Sequence, residues 1–136
     1  MQLTLIKNTD ESKIILYKLS RIIYAETNGS SLVAAEALAS MINNLSVKSQ
    51  RNFSDIVKDK NIFNSLNKNS VRHQNLLVDS DNKQFQMCLR VVIRMVHGDL
   101  PDLCSGAVKF HHIDNIPKRA TDQGYITEID NLLFYL

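Results

Sequence analysis

The chain has 136 residues, which suits a single domain spanning residues 1–136, and its 44% hydrophobic residues can form a core without disulfides or metals. A formal net charge of +2 excludes a strongly basic surface, so we expect no nucleic-acid partner. No apolar run reaches membrane-spanning length and the two cysteines form no ligand pattern, so we expect no membrane insertion, no metal and no other cofactor.

The spacing of apolar residues predicts three long helices, at residues 11–27, 32–45 and 81–97, and a short helix or turn at 53–57. Residues 60–80 are rich in Asn, Ser and Lys, and their composition favours a surface loop.

Polar residues mark the start of two of these helices. Thr9 or Asp10 is the expected N-cap of the first, and Asp79, Ser80 or Asp81 that of the third long helix. An oxygen-bearing side chain at this position accepts a hydrogen bond from an otherwise unpaired backbone N–H.

The C-terminal third changes to a strand-like pattern. Residues 107–111, 125–129 and 132–135 read as strands, with a loop at 114–124 and a two-residue turn at 130–131. The expected fold class is therefore α+β, a mainly helical domain with a small C-terminal antiparallel sheet.

Glu26 is the most informative residue. At 100° per residue Ile15, Leu19, Ile22 and Glu26 fall within about 40° of one another, so the carboxyl lies on the apolar stripe of the first helix. A carboxyl held against apolar neighbours resists ionisation, and an acid that keeps its proton near neutral pH suits general acid catalysis. The alternative is a glutamate at a fraying helix end that turns into water.

Tyr17, Ser20 and Tyr24 fall on the other, polar side of the same helix. The pattern therefore predicts a half-buried, amphipathic helix.

Five short motifs occur in order along the chain. They are IYAETNGS at 23–30, ASMINNL at 39–45, FSDIV at 53–57 followed by IFNSLN, GAVKFHH at 106–112 and IDNLLFY at 129–135. They resemble YAEARGE, AAVxLNRV, FPDTIxxVV with QFSxxN, GALYFHN and IGNHxFY of the cell wall hydrolase family typified by the SleB and CwlJ spore-cortex-lytic enzymes.

This resemblance implies a lysozyme-like domain that acts on peptidoglycan glycan strands and cleaves after N-acetylmuramic acid, by lytic transglycosylation. It places Glu26 at the catalytic position, first as acid and then as base. Ordinary hydrolysis needs a second carboxylate. Glu36, Glu128 and Asp130 are candidates for it, but no sequence argument supports any of them.

A set of substrate-binding residues is then expected around the catalytic carboxyl. They are Tyr24, Ser65, Asn67, Phe110, His111, Asn131 and Tyr135. Ser65 and Asn67 could equally stabilise a turn, and Tyr135 could be a core residue. One of Phe110 and His111 could pack inside. The adjacent pair His111 and His112 suggests a metal, but neighbouring strand residues point apart, so no metal site is expected.

The chain departs from the family pattern at Asn28, Ser30, Asn44, Asp130 and Leu132, the last of which replaces a histidine. These changes leave open an alternative, a catalytically decayed peptidoglycan-binding domain or a structural domain of a phage-like particle.

The N-terminal residues lack a signal-peptide pattern, so we expect synthesis in the cytoplasm. Action on the cell wall or spore cortex would then follow release, as for an endolysin, or delivery by a phage-like particle. An accessory or export protein is possible but has no signature in the sequence.

Overall fold

Four α-helices, two 3₁₀ turns and a three-stranded sheet make up the described part of this computed structural model, residues 11–114 and 124–136. The helices are α1 Glu11–Thr27, α2 Leu32–Ser49, α3 Phe53–Ile56 and α4 Lys83–Val96, and the 3₁₀ turns are Asn64–Leu66 and His73–Leu77. The predicted three long helices and one short helix are confirmed, although α2 runs one turn further than expected.

Local capping chemistry sets the helix ends. The Ser31 hydroxyl accepts a hydrogen bond from the Ala34 N–H (3.0 Å) at the start of α2. Asn82 does the same for Phe85 (3.0 Å) at the start of α4, so the predicted N-cap at residues 79–81 is wrong. At the end of α1 a side chain on Gly29 would lie 2.6 Å from Gln84, so only glycine allows α1 and α4 to approach this closely.

The core lies between α1, α2 and α4. Leu19 and Ile23 of α1, Leu38 and Met41 of α2, and Val92 of α4 belong to one buried cluster. A run of alanines in α2 lets the helices pack closely. Because α4 packs along α1, Tyr17 and Ser20 on the supposed polar side of α1 are buried as well, and the amphipathic expectation is wrong there.

The sheet has the strand order β1-β3-β2, with β1 at Lys109–His112, β2 at Tyr125–Ile129 and β3 at Leu132–Tyr135. Both pairings are antiparallel, as predicted. Asp130 and Asn131 have φ of +48° and +68°, the two positive values that a tight hairpin turn needs. The first strand begins two residues later than expected and extends to His112.

The polar stretch after α3 is not a simple surface loop. Its two 3₁₀ turns pack against α1, and Phe63 and Ser65 are fully buried. The prediction of a surface loop is therefore wrong for this part of residues 60–80.

The predicted caps Thr9 and Asp10 and most of the predicted loop at 114–124 lie outside the described residues. Within the described ranges, none of the helices combines the length and apolar character that crossing a membrane requires.

Candidate active site

Glu26 lies in the last turn of α1 and is only 2% exposed, as its place on the stripe with Leu19 and Ile22 predicts. Its surroundings are not purely apolar. Oε2 accepts a hydrogen bond from the backbone N–H of Ser65 at 2.7 Å, and Oε1 lies 2.7 Å from Nε2 of His112. The carboxyl is thus fixed at both oxygens by residues 39 and 86 positions away.

The two contacts differ in what they allow. A backbone N–H can only donate, so Oε2 acts as an acceptor. Between Oε1 and Nε2 the hydrogen bond runs in either direction, because a carboxylic acid can donate to a neutral imidazole and an imidazole N–H can donate to a carboxylate. A proton exchanged between the two side chains therefore moves between Oε1 and Nε2.

A second histidine supports the 3₁₀ turn from behind. His73 Nδ1 lies 2.9 Å from the Ser65 carbonyl oxygen, and since a carbonyl only accepts, Nδ1 carries the proton. The Ser65 hydroxyl is buried and has no partner among the described residues. Ser65 thus acts on Glu26 through its backbone, which His73 holds in place.

Strand alternation decides which side chains of β1 face Glu26. Phe110 and His112 point inward, where the two rings meet edge to face at 5.7 Å. His111 points the other way and contacts Tyr135 at a centroid distance of 5.4 Å. Burial, followed by the nearby charges of Lys109 and His112, lowers the pKa of His111.

An open groove of about 350 Å³ borders the carboxyl. The segment after α3 and the strand β1 provide its walls, and α1 provides Glu26. The lining residues are Glu26, Lys60, Asn61, Ile62, Asn64, Asn67, Phe110, His111 and His112. Side-chain amides, one ammonium group and aromatic rings give this surface the hydrogen-bonding and stacking groups that bind sugars.

Four of the eight residues predicted for the site line this groove. They are Glu26, Asn67, Phe110 and His111. The Asn67 amide also donates to the carbonyls of Lys60 (3.3 Å) and Asn64 (3.4 Å), so it stabilises the turn as well. Substrate binding by these residues stays a prediction.

The other four predicted residues do not line the groove. Ser65 lies behind Glu26, and Tyr24 is half-buried beside Gly29. Asn131 is exposed in the hairpin turn, where its carbonyl accepts from Ile113 (2.8 Å), and Tyr135 packs on His111 and Tyr125. A role for them in binding substrate also stays a prediction.

Sequence reasoning missed His112, the only side chain within the described ranges that contacts the Glu26 carboxyl. The alternation of β1 contained the signal, because His112 shares a face with Phe110. Lys60, Asn61, Ile62 and Asn64 were missed too, since nothing in their composition indicates that they face a groove.

Three of the five residues that depart from the family motifs have structural roles here. Asn44 donates to Asp102 Oδ1 (3.3 Å) and to the Ala107 carbonyl (3.1 Å), which ties α2 to the loop before β1. Asp130 accepts a short hydrogen bond from the Ser31 hydroxyl. Leu132, in place of the family histidine, is buried in the core.

None of the candidate second carboxylates reaches the groove. Glu36 forms an ion pair with Arg94 (2.8 Å), Glu128 is exposed on β2, and Asp130 lies in the hairpin turn. Among residues 14–114 and 124–136, Glu26 is the single acidic side chain of the groove lining. The same residues contain no group of three His, Cys, Asp or Glu side chains placed to hold a metal ion.

Comparison with solved structures identifies the fold. The catalytic domain of the germination-specific lytic transglycosylase SleB from Bacillus anthracis superimposes with a TM-score of 0.67, over 96% of this chain and 100% of that domain. The catalytic domain of the Bacillus cereus SleB protein gives 0.69, over 99% and 98%. The fold is that of the SleB catalytic domain.

Sequence identity to both SleB domains is 15%, so the likeness establishes the lysozyme-like α+β fold and leaves the chemistry to be argued from the site. No protein-family profile matches the sequence. No curated protein is significantly similar to it.

Proposed function

We propose that this protein cleaves the glycan strands of peptidoglycan as a lytic transglycosylase, with Glu26 as the only catalytic carboxyl. The observation that carries the proposal is a lone buried carboxyl beside an open groove, with no second acid among the described lining residues. The likeness to SleB, a lytic transglycosylase by name, supports the same reading at the level of the fold.

A lone carboxyl suits a reaction in which one group acts twice. Protonated Glu26 donates from Oε1 to the glycosidic oxygen, the bond to C1 breaks, and positive charge develops on the muramic acid ring. The carboxylate then takes the proton of the sugar's own 6-hydroxyl, whose oxygen closes a 1,6-anhydro ring on C1. The proton count of Glu26 is restored without a water molecule or a second acid.

The groove suits an N-acetylated glycan. Three asparagine side chains, Asn61, Asn64 and Asn67, lie along one wall and match the hydrogen-bonding groups of acetamides and hydroxyls. His111 also lines the groove and offers a half-buried ring for contact with a sugar face, whereas Phe110 is 7% exposed and packs on Phe63 and Phe134.

Purified protein incubated with isolated sacculi provides the test. Mass spectrometry should detect 1,6-anhydromuramyl products from the wild type and none from Glu26→Gln. Reducing-end products would refute the transglycosylase mechanism but keep glycan cleavage. Normal cleavage by Glu26→Gln would remove Glu26 from the reaction.

A catalytically decayed peptidoglycan-binding or particle domain is the second candidate. The observation that favours it is the burial of the carboxyl beside the groove. The Glu26 side chain has no exposed surface, and both its oxygens are hydrogen-bonded. Sedimentation of the protein with sacculi, without release of any muropeptide, would support this alternative over the enzyme.

A further inference from the structure

His112 is a further position at which the site differs from the family pattern. The motif GAVKFHH has His112 where GALYFHN has asparagine. Its ring is 6% exposed, lines the groove and contacts Glu26 Oε1 at 2.7 Å. An amide neither takes up nor releases a proton near neutral pH, whereas an imidazole does.

We infer that His112 is a positioning residue that shares one proton with Glu26 and thereby sets the upper pH limit of glycan cleavage. This inference rests on the proposed function of Glu26 as general acid. Neither the fold nor the motif comparison indicates that His112 exchanges a proton with Glu26.

The geometry supports the proton sharing. Because Ser65 donates to Oε2, it stabilises the ionised carboxylate, which by itself works against a general acid. A proton stored on Nε2 compensates, since it lies one hydrogen bond from Oε1. The proton first moves from Nε2 to Oε1, which leaves the His112 ring neutral. It then passes from Oε1 to the glycosidic oxygen. The proton from the 6-hydroxyl later returns by the same path, so the pair ends as it began.

Other titratable groups near the pair are few in the described part of the chain. Lys60 and His111 line the same groove, Lys109 precedes them on β1, and His73 contacts the Ser65 carbonyl behind the carboxyl. None of them has a hydrogen bond to Glu26 or His112. We therefore assign the alkaline limit of activity to the hydrogen-bonded Glu26–His112 pair.

Substitution of His112 by glutamine separates positioning from proton sharing. The glutamine amide nitrogen reproduces the place of Nε2 and still donates to Oε1, but it cannot titrate. The assay is the rate of anhydromuramyl product release across pH 5–9, for wild type, His112→Gln, His112→Asn and the matched control His97→Gln, whose ring is exposed beyond α4.

We expect kcat of His112→Gln to fall off on the alkaline side at a pH about 1–3 units lower than wild type, with KM unchanged. His112→Asn should show the same shift with a lower maximum, and His97→Gln should follow the wild type. Superimposable profiles for wild type and His112→Gln would overturn the inference. His111→Gln, measured in the same series, should keep the wild-type alkaline limit. A shift in His111→Gln with none in His112→Gln would overturn the inference as well, because the limit would then belong to His111.

A second measurement does not need catalysis. In ¹⁵N NMR spectra the pH titration curve of the His112 ring should move to lower pH in Glu26→Gln, since the amide does not favour a charged ring, while that of His97 stays in place. An unmoved His112 curve contradicts proton sharing. If wild type releases no product but the His112 curve moves, the proposed function fails while the shared proton is supported.

Discussion

Replacement of Glu26 by glutamine tests the site most directly, because it separates what the carboxyl does for catalysis from what it does for stability. Loss of the only proton donor and acceptor of the reaction should lower kcat by at least ~10²–10⁴-fold. Glutamine has the same shape, so its oxygen can still accept from Ser65 and its amide can still contact His112.

The stability change follows from two opposing terms. Exchanging a charged for a neutral partner weakens each of the two hydrogen bonds by about 1–1.5 kcal/mol, or roughly 2–3 kcal/mol together. Against this, the side chain has no exposed surface, and removing a buried charge relieves a desolvation cost of several kcal/mol. Because a neutral His112 ring can accept from the glutamine amide, no unpaired charge stays buried, and the expected Tm of Glu26→Gln lies within a few degrees of wild type.

Thermal unfolding followed by circular dichroism measures this, with Glu26→Ala as the contrasting variant. Alanine leaves the Ser65 N–H and the His112 ring without their partner, at a cost of about 1–3 kcal/mol for each group that stays buried. A drop in Tm of more than about 10 °C in Glu26→Gln, roughly 3 kcal/mol at this chain length, would refute the reasoning. It would mark Glu26 as a structural ion-pair partner.

Three further predictions concern residues away from the reaction. Burial raises the pKa of Cys88 to about 12 and, with the Asp102 charge, that of Cys104 to about 12, so both thiols should react with Ellman's reagent at pH 8 only after unfolding in guanidinium; rapid labelling of the native protein would contradict this. The lowered pKa of His111 means that the unfolded chain binds a proton more readily, so folding stability should fall as the pH drops below about 6.5. Between pH 7 and pH 5 the Tm of His111→Gln should fall less than that of wild type. An equal fall in Tm would contradict the assignment of this pH dependence to His111. Asn44→Ala should lower the free energy of unfolding by about 1–3 kcal/mol in urea titration, because it removes two hydrogen bonds to the loop before β1; a change below about 0.5 kcal/mol would show that the loop holds without them.

The sequence was sufficient for features that depend on local periodicity. The stripe that includes Leu19 and Ile22 placed Glu26 inside the protein, and the Asp130–Asn131 turn fixed the hairpin. Both follow from the period of a helix or strand and from the φ preference of one or two residues.

Features that depend on distant residues were not accessible in this way. Tyr17 and Ser20 are polar enough for a solvent face, but α4 covers them. The N-cap of α4 is Asn82, although Asp79, Ser80 and Asp81 before it are also suitable N-cap residues. The sequence alone does not distinguish between these four positions.

The hydrogen-bond partner of the Glu26 carboxyl was the most instructive omission. His112 is 86 positions from Glu26, and only the pairing of β1 with β3 brings it there. The packing of a 3₁₀ turn on α1 likewise brings five residues of this segment to the groove, which composition does not indicate; they are Lys60, Asn61, Ile62, Asn64 and Asn67.

The strand order β1-β3-β2 has a consequence for when the groove is assembled during synthesis. In the described sheet the strand that carries His112 has one neighbour, β3, and that neighbour is made later on the ribosome. A nascent chain that extends from α1 through β1 contains every described groove residue. It still lacks the hydrogen bonds between β1 and β3 that hold β1 in place. The proposed cleavage therefore depends on β3 being in place, and a nascent chain that ends before residue 132 would lack it.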